Sequence, residues 1–527
     1  MTSTQLADSG CAFFSQTASE IFTPEQFSSD ELLMIQMAEN FSRKEVLPNS
    51  ERIEKQEDGL VPELIRQAGQ LGFCGPDAPE DFGGLGLGKN IAARMLEYLS
   101  LDASFSVTIG ITGGIAQFGI VLFGTEEQKK KFLPALTSGE IIGAYALSEP
   151  NSGSDALSAT TRADRVGDEY VLEGTKMWIS NAKWAELFMV FAKVDGERFS
   201  GFLVERDRPG LTVEREEHKL GLKGSSTARI SMDKVRIPVE NLLHQEGKGH
   251  QVAFNSLNLG RFKLAAMSLG SARLAFEQGV AYGRDRKQFG QPVISFGLLR
   301  QKVADMAARF FAAEAMIYRT GALIDKGFES IEEPRLAAEE FAVECSACKV
   351  FATEAQAMIV DESLQIYGGY GFTEEFPAAR SFRDARVSRI YEGTNEINRL
   401  FMADRLFKRA AAGRASLDGL ADTFIADLAV KAVRTGCLEQ PQVGAISDLL
   451  MLMYAEQSVN ARAKRTGDLG AAAAAHFINW ANVEAARAFQ RLTGEGVTLP
   501  PATMGTVDAL SDAVIELGGP LIFNPRN

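Results

Sequence analysis

Hydrophobic positions in the first quarter of the chain recur with the period of an amphipathic helix. The segments 31–39 and 129–136 show this pattern, and stretches rich in Pro and Gly separate such segments. One helical segment contains Gly110, Gly113 and Gly114, although glycine destabilises helices. Residues 1–143 are therefore predicted to form a helical N-terminal domain.

The pattern changes at Ala144 to short runs of β-branched and aromatic residues. The runs 170–173, 187–194 and 200–205 are separated by Gly, Pro and Asp, which is typical of short strands joined by turns. Residues 144–248 are therefore predicted to form a small antiparallel β domain.

Helical periodicity returns at Gly249 and continues towards the end of the chain. Residues 249–410 are predicted to form a helical bundle domain. Residues 411–527, which include the alanine-rich stretch 471–475, are predicted to form a C-terminal helical extension. The predicted fold class is therefore mainly α with a central antiparallel β domain.

Composition narrows the class of protein. Of the 527 residues, 45% are hydrophobic and 24% are charged, which is the balance of a globular protein with roughly three or four domains. The formal net charge of -14 argues against nucleic acid as the main partner, because no surplus of Lys and Arg is available to neutralise phosphates. A small anionic ligand is not excluded, since a few well-placed arginines suffice to bind it.

Cysteine and histidine usage argues against disulfides and metal sites. Five cysteines occur at irregular spacing, namely Cys11, Cys74, Cys345, Cys348 and Cys437, which favours a reducing compartment. Cys345 and Cys348 share one face of a predicted helix, so core packing is favoured over redox or metal chemistry. The four histidines (His218, His244, His250 and His476) lack the spacing of a metal site, and no metal is predicted.

The N-terminal segment 1–27 has neither a basic region followed by an apolar core nor an Arg-rich amphipathic pattern. No stretch approaches the length of uninterrupted apolar sequence that a membrane span requires. The protein is therefore expected to be cytoplasmic.

Three segments carry groups that suit a large aromatic or anionic cofactor. Residues 145–155 (Tyr-Ala-Leu-Ser-Glu-Pro-Asn-Ser-Gly-Ser-Asp) form a predicted turn rich in backbone N–H and hydroxyl donors. Residues 174–181 (Gly-Thr-Lys-Met-Trp-Ile-Ser-Asn) place Trp178 on a strand, where it either covers an aromatic cofactor or packs in the core. Residues 284–290 (Arg-Asp-Arg-Lys-Gln-Phe-Gly) offer arginines that suit a pyrophosphate or a solvated basic face.

Two further segments follow, 365–372 (Gln-Ile-Tyr-Gly-Gly-Tyr-Gly-Phe) and 389–396 (Arg-Ile-Tyr-Glu-Gly-Thr-Asn-Glu). Glu392 lies in a predicted turn between helical stretches, after an aromatic residue and before Gly393. A carboxylate in an apolar pocket has a raised pKa, which suits a base that deprotonates a carbon acid. A surface glutamate beside a helix start is the simpler alternative.

Together, and in this order, the five segments resemble the acyl-CoA dehydrogenase family over residues 27–410. The resemblance implies an N-terminal helical domain, a central β-barrel-like domain and a C-terminal four-helix bundle. The long C-terminal addition and the residues around Gln288 and after Tyr391 are most similar to the very-long-chain branch of the family.

The resemblance implies FAD as the cofactor and assigns contacts to it. The residues that would contact the flavin are Tyr145, Leu147, Ser148, Trp178 and Ser180, with Ser154 between flavin and substrate. The residues that would reach an FAD bound mainly by the neighbouring subunit are Arg286, Gln288, Phe289, Gln365 and Gly369, whereas Thr394 and Glu396 would face the cofactor of their own subunit. Substrate contacts are implied for Ser154, Asn258, Arg261, Tyr391 and Gly393.

Glu392 is the implied catalytic base. Some family members place the base immediately before the arginine that matches Arg261, but Gly260 occupies that position here. The implied reaction converts a fatty acyl-CoA, expected to be long-chain, to trans-2-enoyl-CoA in fatty acid β-oxidation. Glu392 removes the α-proton and the β-hydrogen leaves as hydride to the flavin. Hydrogen bonds from the Glu392 backbone N–H and a ribityl hydroxyl are implied to stabilise the enolate-like oxygen.

The implied partners are an electron-transfer flavoprotein, as electron acceptor, and a second copy of the chain in a homodimer. An acyl-CoA oxidase and a non-enzymatic assembly or scaffold factor are the alternatives, whereas a nitroalkane oxidase would carry Asp in place of Glu392. Membrane association is not carried over from the very-long-chain relatives, because the region 487–491 has few basic residues. The glycines at 110, 113 and 114 indicate either room for a long acyl tail or close helix packing.

Overall fold

The structure, a computed structural model, describes residues 20–414, 423–435 and 439–521. Most of the segment 1–27, together with Cys11 and Cys437, lies outside these residues. The described chain forms two compact units. One comprises residues 33–267 and 333–339, and the other comprises the described parts of residues 1–32, 268–332 and 340–527. The predicted division into four domains stays a prediction.

Helices form the first part of the chain, as its periodicity predicted. They are α1 (Ser29–Phe41), α2 (Ser50–Glu54), α3 (Leu60–Gln70), α4 (Lys89–Leu99), α5 (Ala103–Gly110), α6 (Ala116–Phe123) and α7 (Glu126–Thr137). The start of α7 shows how local sequence sets a boundary. The Thr125 hydroxyl accepts a hydrogen bond from the Gln128 N–H (3.2 Å), and the Gln128 side chain accepts one from the Thr125 N–H (3.0 Å).

An eight-stranded sheet follows, and its strands are β1 (Gly143–Ala146), β2 (Arg162–Val166), β3 (Glu169–Ser180), β4 (Leu187–Val194), β5 (Arg198–Glu205), β6 (Leu211–Glu216), β7 (Thr227–Pro238) and β8 (Leu242–Leu243). Its order is β6-β7-β3-β2-β4-β5-β8, and β1 also pairs with β4. The antiparallel prediction is wrong for two pairs, since β1 and β2 both run parallel to β4. The sheet is therefore mixed, because residue patterns report which side chains are buried but not the direction of the neighbouring strand.

The core of the unit that comprises residues 33–267 lies where β4 and β5 pack against α6 and α7. Almost all of β4 is buried, and Met189, Phe191 and Leu203 pack in one cluster with Ile120 and Leu133. Burying side chains of this size stabilises the fold by about 1.5–3 kcal/mol each. The continuous apolar run of β4 therefore reflects burial on both faces of the sheet.

One stretch in the same unit, Ala103–Phe123, is long and apolar enough to cross a membrane by length and composition alone. Its most apolar window is 83% buried inside the protein, which is typical of a core helix. A π-helical turn, Ile111–Ile115, interrupts it, and Gly114 has a non-helical backbone (φ -137°, ψ -106°).

The glycines of this stretch lie against their neighbours. A Cβ at Gly113 would stand 2.6 Å from the Cys74 carbonyl oxygen, and one at Gly110 would stand 2.8 Å from the Met267 sulfur. At Gly114 the nearest atom would be Lys263 Cδ at 3.4 Å, which is ordinary contact. Close packing is therefore the better interpretation at Gly113, because the group in its way is backbone and unable to move aside.

The remaining elements are mainly helices, as predicted, with one short hairpin. They are α8 (Gly249–Asp285), β9 (Lys287–Gln288), β10 (Gln291–Pro292), α9 (Gly297–Ser330), α10 (Pro334–Glu340), α11 (Ala342–Tyr367), α12 (Pro377–Ala385), α13 (Asn395–Ala411), α14 (Phe424–Thr435), α15 (Gln440–Ala463), α16 (Gly467–Thr493) and α17 (Thr506–Leu517). Cys348 of α11 is buried, and burial raises the pKa of its thiol to about 12. This environment agrees with core packing rather than redox chemistry.

A buried ion cluster joins four segments of the second unit. Glu314 of α9 pairs with Arg273 of α8 (3.1 Å) and with Arg462 of α15 (2.9 Å). Arg462 also pairs with Glu25 (2.9 Å). All four charged side chains are at most 8% exposed, so each depends on its partners to offset the loss of hydration. The C-terminal extension thus contributes Arg462 to the interior of the bundle.

We expect Gly113→Ala to lower the free energy of unfolding by about 1–3 kcal/mol, because the new methyl group overlaps the Cys74 carbonyl. Gly444→Ala in α15 is the control, since a Cβ there meets nothing within 4 Å. That substitution should stabilise the helix by about 0.5–1 kcal/mol. Urea unfolding followed by circular dichroism measures both changes. Equal stability of Gly113→Ala and the wild-type protein would restore the open-pocket interpretation.

Candidate functional site

One group of predicted site residues lies in the unit of residues 33–267, beginning in the loop after β1. The Lys176 ammonium group on β3 donates to the Leu147 carbonyl (3.1 Å) and to Glu149 Oε1 (2.7 Å). The Met177 N–H donates to the Ser148 carbonyl (2.9 Å). The Tyr145 hydroxyl donates to the Ala253 carbonyl (3.2 Å). The first three bonds hold residues 147–149 against strand β3, and the Tyr145 bond ties the segment to α8.

Glu149 and Lys176 form a buried ion pair beneath this loop. Their side chains are 3% and 0% exposed, and the carboxylate also accepts hydrogen bonds from the N–H groups of Thr160 (2.6 Å) and Thr161 (3.0 Å). Burial alone would raise the pKa of Glu149, but the Lys176 charge and these donors lower it to about 2. Burial lowers the pKa of Lys176 to about 8, against the opposing effect of Glu149. The carboxylate is therefore ionised at neutral pH.

Trp178 stands out from strand β3 at a β-bulge. The register with β7 shifts between Lys176 and Ile179, and Trp178 has a left-handed backbone (φ 57°). Its side chain is 55% exposed. A bulge re-aims a side chain at the expense of local strain, so the surface position of the indole is imposed by the backbone. The alternative of a core aromatic is wrong for Trp178.

The other predicted residues of this unit occupy different environments. Ser180 is partly buried at the end of β3, and Ser154 is exposed in the loop after Glu149. Asn258 and Arg261 are buried on α8, where one Arg261 guanidinium nitrogen donates to Asn258 Oδ1 (3.1 Å). The spacing of three residues brings the two side chains together on one helix face.

In the other unit, Glu392 lies in a turn between the 3-10 helix Arg386–Arg389 and α13, as predicted. Glu392 and Gly393 both have left-handed backbones (φ 57° and 80°). A non-glycine residue in this conformation costs roughly 1–2 kcal/mol, so surrounding contacts must offset it. The Glu392 side chain is partly exposed, and its Oε2 atom is buried.

Several hydrogen bonds hold this turn. Asn398 Nδ2 donates to the carbonyls of Gly393 (2.9 Å) and Thr394 (3.0 Å), and the Lys349 ammonium group donates to the Gly393 carbonyl (2.8 Å). The Thr394 hydroxyl caps α13 by accepting from the Ile397 N–H (3.2 Å). These contacts fix the backbone on both sides of Gly393, and therefore the direction in which the Glu392 side chain leaves it.

Two neighbours of Glu392 have shifted pKa values. Burial, together with the charges of Glu392 and Asp384, raises the pKa of the Tyr391 phenol, which therefore stays neutral beside the carboxylate. Hydrogen bonds from its own backbone N–H and from the Thr394 hydroxyl lower the pKa of Glu396. Glu396 is thus an anion at the positive end of the α13 dipole.

A cavity of about 530 Å³ lies beside the β9–β10 hairpin and the end of α11. Its lining includes Arg286, Gln288 and Gly369, three residues that the sequence assigned to cofactor contacts, with Tyr282, Tyr367 and Tyr370 as aromatic walls. The rings of Tyr282 and Tyr367 stack at 4.2 Å, and the Arg286 guanidinium lies 5.5 Å from the Tyr370 ring. The cavity combines aromatic faces with a cationic fork, which suits a nucleotide.

Two of the assigned cofactor residues are exposed next to this cavity. Phe289 lies at the hairpin tip with a left-handed backbone (φ 53°) and is 94% exposed. Gln365 is exposed near the end of α11. No group of three or more His, Cys, Asp or Glu suited to a metal ion is found in residues 20–414, 423–435 and 439–521.

The residues that support the site were not predicted from the sequence. Lys176 and Glu149 lie inside quoted motifs, yet only the fold brings them together across 27 positions. Lys349 is a single lysine in an apolar helix, and it belongs to no motif that would mark it as functional. Asn398 follows the turn at Glu392, but its distance from Glu392 along the chain does not match a known motif. A charged residue within an apolar run was the available clue, because such a residue is normally paired when buried.

Known protein families and individual proteins match the sequence of this chain. Three family models match the chain: acyl-CoA dehydrogenase N-terminal domain (residues 28–140), middle domain (144–235) and C-terminal domain (247–407). A probable acyl-CoA dehydrogenase of Bacillus subtilis is 44% identical over 411 residues, which cover 76% of this chain and 69% of that protein. The human mitochondrial very long-chain specific acyl-CoA dehydrogenase is 40% identical over 346 residues, which cover 63% of this chain and 51% of that protein.

A solved structure extends the likeness to the C-terminal extension. The acyl-CoA dehydrogenase of Bacillus anthracis complexed with FAD has a TM-score of 0.89 and 34% identity, and the match covers 97% of this chain and 100% of that chain. The matched family models and the shared fold agree with one another. This chain therefore belongs to the acyl-CoA dehydrogenase family of enzymes, and its cofactor is FAD.

Proposed function

We propose that this enzyme removes the α- and β-hydrogens of a fatty acyl-CoA to give trans-2-enoyl-CoA, with Glu392 as the catalytic base. The observation that carries the proposal is the left-handed Glu392–Gly393 turn. The Lys349 and Asn398 side chains stabilise this turn by donating hydrogen bonds to the Gly393 carbonyl. A base for a weak carbon acid must be fixed in position, because its efficiency depends on alignment with the proton it removes.

Glu392 and Tyr391 have separate roles in the proposed reaction. In this proposal Glu392 accepts the α-proton, and its backbone N–H donates to the thioester oxygen as negative charge develops there, as the family resemblance implies. Tyr391 remains a neutral phenol beside the base and adds no charge that would oppose proton transfer. Bound FAD supplies the redox chemistry by accepting the β-hydrogen with its electron pair.

The residues present fit FAD. Trp178 offers an exposed indole face for the isoalloxazine, and the loop at Leu147 and Ser148 is fixed beside it on strand β3. The Arg286 cavity has aromatic and cationic groups for a nucleotide diphosphate. The assigned contacts of Tyr145, Ser154, Ser180, Thr394 and Glu396 remain part of this proposal.

Chain length, electron acceptor and compartment belong to the proposal as well. Similarity to the very long-chain enzyme over 346 residues supports a long acyl chain. The family resemblance supports an electron-transfer flavoprotein as the acceptor, and sequence composition supports a cytoplasmic location. An acyl-CoA oxidase would use the same base, so reactivity of the reduced enzyme with oxygen separates the two activities.

We expect Glu392→Gln to bind FAD but to bleach with palmitoyl-CoA roughly 10²–10⁴-fold more slowly than the wild-type enzyme, since the amide does not accept the proton. Anaerobic stopped-flow absorbance measures the rate. Glu375→Gln, an exposed glutamate outside the site, is the control and should react at the wild-type rate.

Three other outcomes of this experiment would change the assignment of the base, the acyl chain length or the enzymatic function. A wild-type rate in Glu392→Gln would remove Glu392 as the base. Bleaching with butyryl-CoA alone would reject the long-chain assignment and keep the enzyme. A colourless protein that does not take up FAD would favour the assembly-factor alternative.

We expect Glu149→Gln to weaken FAD binding by tenfold or more, because the loop at Leu147 and Ser148 loses its anchor when Lys176 is left without its anionic partner. Removing one partner of a buried pair also lowers the folding stability by about 3–5 kcal/mol. The pKa of Glu149 is lowered from 4.5 to about 2 and that of Lys176 is lowered from 10.5 to about 8, so both members of the pair are charged between about pH 4.5 and pH 8. The stabilisation from Glu149 is lost as the pH falls towards 2, and the charge of Lys176 is lost as the pH rises through 8. Fluorescence titration of the apoprotein measures affinity. Glu173→Gln is the control, because Glu173 is exposed on β3, the strand that carries Lys176. An equal loss of FAD affinity in both variants would contradict the role of the pair.

We also propose the homodimer that the family resemblance implies, with Phe289 at its interface. Phe289→Ser should raise the dimer dissociation constant at least tenfold, because burying a Phe side chain contributes about 1.5–3 kcal/mol. Met504→Ser on the extension removes a side chain of similar exposure (86%) and should leave association unchanged. Sedimentation equilibrium distinguishes the two, and a monomeric wild-type protein would overturn the proposal.

A further inference from the structure

The turn that carries Glu392 is connected to a chain of polar groups that begins at a buried lysine and continues to the partly exposed Glu354. Lys349 is fully buried on α11 and donates to the Gly393 carbonyl (2.8 Å) and to Asn395 Oδ1 (2.7 Å). Asn395 Nδ2 in turn donates to Glu354 Oε1 (3.1 Å). Two side chains therefore link the Glu354 carboxylate to the backbone of the base turn.

Arg399 of α13 continues this network. Two of its guanidinium nitrogens donate to the two Glu354 oxygens at 2.8 and 3.0 Å, which is the planar fork that gives arginine its geometric specificity. The third, Nε, donates to Asp448 Oδ1 (2.7 Å). Asp448 lies on α15, so one arginine joins the network of the base turn to the C-terminal extension.

The extension contacts Arg399 at its backbone as well. The Ser447 hydroxyl, which is fully buried, donates to the Arg399 carbonyl (2.6 Å). Arg491 of α16 donates to the second Asp448 oxygen (2.8 Å), and the Asp448 side chain is only 19% exposed. Side chain and backbone of Arg399 are therefore both fixed by adjacent residues of α15.

We propose that Ser447 and Asp448 of the C-terminal extension are positioning residues for Glu392. They hold the beginning of α13, and through Arg399, Glu354 and Lys349 they maintain the left-handed turn from which the base projects. The inference rests on the proposed role of Glu392 for its effect on the reaction, whereas its structural part concerns only the order of residues 391–398. It gives the extension a part in the reaction in addition to packing against the bundle.

The test uses the full-length FAD-loaded enzyme with Asp448→Asn. Hydrogen–deuterium exchange of the amides in 391–398 should accelerate about tenfold, since the turn loses an anchor at the far end of its network. Bleaching with palmitoyl-CoA at saturating substrate should slow about tenfold, because the base is displaced. The half-saturating concentration should change little, because the assigned substrate contacts Ser154, Asn258 and Arg261 lie outside residues 391–398. Asp427→Asn is the matched control, an exposed extension carboxylate paired with Lys431 (2.7 Å), and should change neither quantity.

Two further variants keep the test decisive if Asp448→Asn fails to fold. Ser447→Ala removes one hydrogen bond without changing charge and should give a smaller effect in the same direction. Asp448→Glu retains the carboxylate and should recover most of the wild-type exchange protection. Unchanged exchange in 391–398 for Ser447→Ala would overturn the proposal, as would unchanged exchange for a folded Asp448→Asn. If exchange accelerates but Glu392→Gln still bleaches normally, the structural link stands and the assigned base is wrong.

Discussion

The left-handed backbone at Glu392 is the constraint on which the rest of the proposed catalytic region depends. A glutamate does not adopt this conformation by preference, so the fold must maintain it with contacts that outweigh its strain. Gly393 continues the turn at no steric penalty, and Thr394 begins α13 immediately afterwards. The Glu392 side chain thus projects from a short backbone segment of fixed conformation rather than from a mobile loop.

Buried lysines serve the same purpose in both compact units. Lys176 donates to the Leu147 carbonyl in the loop after β1, and Lys349 donates to the Gly393 carbonyl in the turn at Glu392. Each ammonium group is buried and satisfied by a side-chain oxygen as well, Glu149 in one case and Asn395 in the other. An unpaired buried cation is strongly destabilising, so each lysine favours the single backbone arrangement that completes its hydrogen bonds.

Much of the architecture was readable from local sequence. The helical period predicted the N-terminal helices and the bundle, and the β-branched runs predicted the central strands. The motif around Glu392 correctly indicated a turn between helices. The direction of β1 and β2 relative to β4 was not readable, because the same alternation of buried residues fits either direction. The bulge at Trp178 was equally hidden, since register is a property of two strands.

The sequence by itself determined the order of the elements, the family and the residue types available for chemistry. Those properties follow from short-range patterns, such as the Thr125 capping box and the turn after Tyr391. Only the tertiary structure decided that Gly113 lies against the Cys74 carbonyl and that Asp448 reaches the network of the base turn. Such contacts join residues tens of positions apart, and their energies arise from burial and hydrogen-bond geometry that no single segment of the chain contains.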